Sequence, residues 1–179
     1  MSIKMRYFLF ALFLLSCGPP PDCTTPTFKL RVFEIMQATC QDYEDQAAAF
    51  YRTFQPLGHI DPRFTDIENT LQGYQVHAKQ ENWACNDELC FAGQTYCPIR
   101  DIDLNEEYIP WHGILIHELV HAAQGCIAWP LDGGDPYPGF HTVAYGHESW
   151  SKHQIWEYID YATESMIKAK KQRQASQSP

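Results

Sequence analysis

A chain of 179 residues is the length of one domain and is long enough to bury a real core. Aromatic residues make up 14% of it, which excludes disorder over most of its length. The formal net charge of −9 repels phosphate backbones, and neither a P-loop nor a dinucleotide-binding glycine loop occurs, so no nucleic-acid or nucleotide role is expected.

Residues 1–6 carry Lys4 and Arg6, and residues 7–15 form a short apolar run. Together they read as a secretory signal, too short to span a bilayer as a mature helix. The run ends in Leu14-Leu15-Ser16-Cys17, which resembles the lipobox of bacterial lipoproteins. The resemblance implies cleavage after residue 16, lipid on Cys17, and stable anchoring of the mature chain through several acyl chains. It places the protein in the bacterial cell envelope, on the periplasmic side of an outer membrane or at the cell surface. Residues 17–27 are rich in proline and threonine and read as a tether between lipid and domain.

The folded domain is expected over residues 28–170. Residues 28–32 alternate apolar and basic side chains, which predicts a strand. A helix is expected over residues 41–54, with Tyr43, Ala47, Phe50, Tyr51 and Phe54 on one broad apolar face. Residues 56–70, with Pro56, Gly58 and Pro62, read as loop, and His59 there has no partner in view. A second strand is expected over residues 71–78, with Tyr74, Val76 and Ala78 on one side and His77 facing solvent on the other. A third is expected over residues 98–104 through Ile102 and Leu104, directly before the motif described next.

Seven cysteines are many for this length. With Cys17 lipidated, Cys23, Cys40, Cys85, Cys90, Cys97 and Cys126 remain. An even number in an exported chain favours disulfides, with the connectivity open. A cysteine zinc site is the weaker reading, because no Cys-x-x-Cys knuckle occurs.

The chemistry concentrates in His117-Glu118-Leu119-Val120-His121, inside the apolar run 111–123. On a helix, residues four apart share a face, so His117 and His121 would grip one metal ion. Glu118, about a quarter turn away, would take a proton from metal-activated water. Leu115, Ile116, Leu119, Ala122 and Ala123 supply an apolar back. Pro110 fits the first helical position, Gly125 the residue past the end, and Pro130 stops any continuation.

Residues 128–140 are rich in glycine and proline and read as a loop at a cleft rim. A final helix is expected over residues 147–170, with Ile155, Ile159, Ala162 and Met166 buried, followed by a disordered tail at 171–179. A catalytic zinc needs a third protein ligand. Glu148 falls near the centre of the buried face of that helix, His147 near its edge, and His153 points away. His141, in the loop, stays open.

The five-residue motif resembles the active-site helix of the zincin metallopeptidases. The metzincin pattern is absent, since Gln124 and Ile127 stand where it wants Gly and His. The gluzincin branch implies Glu148 as third ligand. The SprT-like branch implies His147, in Gly146-His147-Glu148-Ser149-Trp150, with the aromatic one residue early. His147 is preferred, with Glu148 second.

The resemblance implies an α+β zincin-like domain: a small mixed sheet, an HExxH helix and a C-terminal helix. It implies a Zn2+-dependent hydrolase acting on peptide or protein, with Glu118 as general base and His117, His121 and His147 as ligands. In zincin-type sites the substrate lies along an edge strand; the 98–104 strand is either that strand or a purely structural one. By their nearness in sequence Tyr145 or His141 would supply an oxyanion donor, and Asp132 or Asp135 would either orient a ligand or serve as turn residues. Two other classes compete: a non-catalytic metal-binding lipoprotein, and a structural envelope protein in which the motif is a coincidence. Nothing in the residues speaks to oligomeric state.

Overall fold

The computed structural model describes residues 20–79, 92–124 and 154–177. Within them the protein is a mixed α+β fold. Its strands are β1 (Cys23–Thr24), β2 (Arg31–Phe33), β3 (Gln75–Lys79), β4 (Gly93–Tyr96) and β5 (Asp101–Asn105). Its helices are α1 (Cys40–Phe54), α2 (Ile67–Leu71), α3 (Ile114–Ala123) and α4 (Ile155–Gln177). Short 3-10 turns occupy Gln55–His59, Pro62–Phe64 and Glu106–Tyr108.

The five strands form one sheet in the order β1-β2-β3-β5-β4. β2, β3 and β5 run parallel, while β1 and β4 pair antiparallel at the two edges. The pleat turns Val32, Val76, Ile102 and Leu104 inward, all fully buried. They meet Tyr43, Phe50 and Phe54 of α1 and Leu115 and Leu119 of α3 in one core. Helix α4 packs along α1 and crosses α3, and its Ile155, Ile159, Ala162 and Met166 are buried as the periodicity predicts.

Helix α1 starts one residue before its predicted range, and a capping box sets the start. Thr39 accepts from the Asp42 amide, and the Asp42 carboxylate accepts from the Thr39 amide at 2.8 Å. The preceding turn is held by Glu106, whose Oε1 accepts from the amides of Met36, Gln37 and Ala38 at 2.7–2.8 Å.

Several elements differ from the sequence reading. Residues 20–27 are more than a tether. Cys23 and Thr24 pair with β2, Thr25 is buried, and Asp22 accepts from the Ile35 amide. The strand expected from residue 28 begins at Arg31, because Phe28 and Lys29 sit at φ 58° and 52° and turn the chain. The expected loop 56–70 contains helical turns and α2, and the second strand starts at Gln75, after α2 has ended at Leu71.

The strand before the motif helix is β5, and it lies inside the sheet between β3 and β4. The edge on that side of the sheet is β4, a strand that the sequence reading passed over. The motif helix begins at Ile114; Pro110 lies in the turn before it. Helix α4 continues past Lys170, through seven residues expected to be disordered, to Gln177. There Arg173 pairs with Asp45 of α1.

Cys23 and Cys40 form a disulfide with a Cα–Cα distance of 6.0 Å, tying β1 to the start of α1. Cys97 is also disulfide-bonded. Cys17, Cys85, Cys90 and Cys126 lie outside the described residues, as do the signal and the lipobox. Among the described residues no helix is long and apolar enough to cross a membrane.

Candidate metal centre

Helix α3 is aimed by a residue far from it in sequence. Its N-cap, Gly113, has no side chain to cap with. Gln46 of α1, fully buried, takes that role: its Oε1 accepts from the Leu115 amide at 2.8 Å, and its Nε2 donates to the Ile109 carbonyl. Two otherwise orphaned groups beside the helix start are thereby satisfied, and α3 is fixed against α1.

Gly113 also permits a close approach on its other side. A Cβ built there would lie 1.9 Å from Thr163 Oγ1, so the start of α3 packs directly on α4. The apolar back of α3 is as predicted, with Leu115, Ile116, Leu119 and Ala122 fully buried.

On the front of the helix the two histidines converge. His117 Nε2 and His121 Nε2 are 3.2 Å apart. Two nitrogens bound to one tetrahedral zinc at 2.0–2.1 Å are separated by about 3.3–3.4 Å, so the pair fits a shared ion. One imidazole donating to the other would give a similar distance. His121 is 6% exposed, and its carbonyl oxygen lies 3.9 Å from Cys97 Sγ. The ring of Trp156, at the start of α4, lies 5.4 Å from that of His117.

Glu118 faces the edge strand. Residues 93 and 95 pair with Leu104 and Ile102, so the pleat turns Gly93 and Thr95 toward the helices. Thr95 Oγ1 donates to Glu118 Oε2 at 2.7 Å, and a Cβ on Gly93 would lie 2.8 Å from Glu118 Oε1. A glycine at 93 therefore lets the carboxylate lie flat against β4. Glu118 is 3% exposed. Burial pushes its carboxyl up to about 7, partly offset by the Thr95 hydrogen bond. Burial and the Asp103 and Glu118 carboxylates likewise push up the phenol of Tyr96.

Three predicted residues, His117, Glu118 and His121, thus stand together. The candidates for the third ligand, His147, Glu148 and His141, lie outside the described residues, as do Tyr145, Asp132, Asp135 and His153. Among the described residues no three metal-ligating side chains form a cluster. His59 is exposed and contacts the Pro56 carbonyl; His77 stacks on Phe33, half-buried rather than fully solvated.

The sequence reading missed Gln46, Gly93, Thr95 and Trp156. Gln46 carried a signal, since it falls three residues after Tyr43 on the apolar face of α1, where a polar group needs a partner. Gly93 and Thr95 carried none, because Gly-Gln-Thr-Tyr shows no apolar alternation. Comparison of the chain with family models, curated proteins and solved structures returns no match.

Proposed function

We infer that this protein is a zinc-dependent hydrolase, with peptide or protein as its substrate and Glu118 as its general base. The observation that carries this reading is the convergence of His117 Nε2 and His121 Nε2 at 3.2 Å beside a carboxylate held in place by Thr95. The order of the elements supports the zincin resemblance: a mixed sheet, an antiparallel edge strand against the motif helix, and a last helix crossing it. Among the described strands β4 pairs only with β5, leaving an edge on which an extended peptide would add by strand pairing.

The chain's own residues would divide the work. His117 and His121 would hold the ion through Nε2, with His147 as the preferred third ligand and Glu148 the second choice. Bound zinc supplies Lewis acidity, polarising the carbonyl under attack and bringing the pKa of water from about 15.7 towards ~7. Glu118 Oε1 would receive the proton of the attacking water and pass it to the leaving amine. Thr95 would keep Oε2 occupied, so that the carboxylate acts as a base and not as a ligand. Lipid on Cys17 would hold the domain at an envelope membrane, where peptide and protein substrates are at hand.

A second reading has its own support. Glu118 is 3% exposed and bonded to β4, as a carboxylate that only ties strand to helix would be. In that case the protein is a non-catalytic metal-binding or structural lipoprotein.

The variant Glu118→Gln separates the two. Zinc content is expected to stay while hydrolysis of a denatured protein substrate falls by about 100-fold or more. Equal hydrolysis by native protein and variant would remove Glu118 as the base.

A further inference from the structure

We propose that the exposed rings of Tyr108 and Trp111 form a membrane-contact face, which seats the domain in the headgroup zone of the bilayer that its lipid enters. The inference rests on the reading of Cys17 as the lipidated residue and is independent of the zinc reading.

The segment between β5 and α3 turns its side chains two ways. Ile109 is fully buried, while Tyr108 and Trp111 are 37% and 45% exposed. The Tyr108 ring meets that of His112, also exposed, edge-on with the centroids 5.5 Å apart. The ammonium of Lys170 lies 4.5 Å from the centre of the Trp111 ring and donates to the Pro110 carbonyl at 3.0 Å. Tyrosine, tryptophan and lysine together are the side chains that a bilayer interface favours. Their bodies are apolar, while the phenol, the indole N–H and the ammonium reach the headgroups and water.

The place of the patch names its occupant. Asp22, near the start of the described chain, accepts from the Ile35 amide at 2.9 Å. The next three amides, of Met36, Gln37 and Ala38, donate to Glu106, which opens the turn Glu106–Tyr108. The chain thus enters the domain a few contacts away from Tyr108. Cys17 stands five residues before Asp22, and five extended residues span at most about 18 Å. A lipid on Cys17 would therefore hold this end of the domain close to the bilayer. The formal charge of −9 gives an anionic surface no attraction, so the contact rests on burying the rings. The short tether keeps the bilayer at high local concentration, so a weak contact stays occupied.

The test uses the mature acylated protein, reconstituted in phosphatidylcholine vesicles. Flotation shows attachment, and mass spectrometry shows the acyl chains on Cys17. Tryptophan emission would be quenched from within the bilayer by phosphatidylcholine brominated near the headgroup, and from the water by iodide. The native chain, Trp111→Phe and Trp156→Phe would be compared, with circular dichroism on each. Both replacements keep a ring and remove an indole, and Trp111 is exposed enough for its replacement to leave the core intact.

Brominated lipid is expected to quench the native emission. Trp111→Phe is expected to lose the larger part of that quenching, and Trp156→Phe to keep it. A native chain that floats with the vesicles but is not quenched overturns the proposal. So does equal quenching of the native chain and Trp111→Phe. Shielding of Trp111 from iodide without quenching by brominated lipid would give the face to a protein partner and overturn the bilayer as its occupant. A mature chain without acyl chains on Cys17 removes the lipid reading, and this inference with it.

Discussion

Glu118 is a carboxylate that the fold has taken out of water and given one hydroxyl in return. Its burial pushes the carboxyl up to about 7, and the Thr95 hydroxyl stabilises the charged form. Removing that hydroxyl leaves a buried oxygen with one partner fewer, in a place where β4 cannot close in because Gly93 already lies against the carboxylate. Thr95→Val is expected to destabilise the protein by about 1–3 kcal/mol in urea unfolding, and Thr95→Ser by much less. Equal stability of Thr95→Val and the native chain would mean that the hydrogen bond contributes nothing. The motif itself was readable at this scale, since His117, Glu118 and His121 are fixed by helical spacing alone. Thr95 was not, because a threonine in a four-residue strand carries no mark of the carboxylate it meets across 23 positions of chain.

At the scale of elements, α3 depends on partners that supply what its own sequence lacks. Gln46 accepts from the Leu115 amide where Gly113 offers no cap. Gln46→Ala is expected to orphan that amide and the Ile109 carbonyl, costing about 1–3 kcal/mol of stability in urea unfolding. A cost below about 0.5 kcal/mol would show that water replaces the side chain.

The clamp between α1 and α4 makes a pH-dependent prediction. Burial raises the Asp42 carboxyl, but hydrogen bonds from Lys170 and Thr39 outweigh it and hold the group below its ordinary 3.8. A folded pKa below the unfolded one stabilises the fold above pH 3.8, and that stability is lost as pH falls further. Lys170→Met should show a smaller drop in stability between pH 5 and pH 3 than the native chain. An identical drop in both would remove Lys170 as the cause.

Helix α1, and α4 from Ile155 to Lys170, were legible because their apolar positions recur with the helical period. The helix expected from residue 147 is interrupted at Gln154, a turn residue at φ 56°. β1 and β4 were not legible, since a two-residue strand and a polar edge strand have no period to read. The start of α3 was misplaced because Pro110 satisfies the local rule for a first turn. The cap is instead supplied by Gln46, from more than sixty residues away.

At the scale of the molecule, the described residues join a five-stranded mixed sheet, a helix carrying the histidine pair and a long last helix by one core. Edge strand β4 holds Glu118 through Thr95, and on the same helix the two imidazoles converge into the pair that the proposed metal ion would join. The most direct test is the zinc content of the full-length protein, exported to an oxidising compartment and measured by mass spectrometry. His117→Ala, His121→Ala, His147→Ala and Glu148→Ala would be measured beside it. The account predicts about one zinc per chain, as expected of a single three-ligand site. Zinc should be lost in both motif-histidine variants and in one of the other two, which would then identify the third ligand. A folded native chain without zinc, or a zinc content unchanged by His117→Ala, would contradict it.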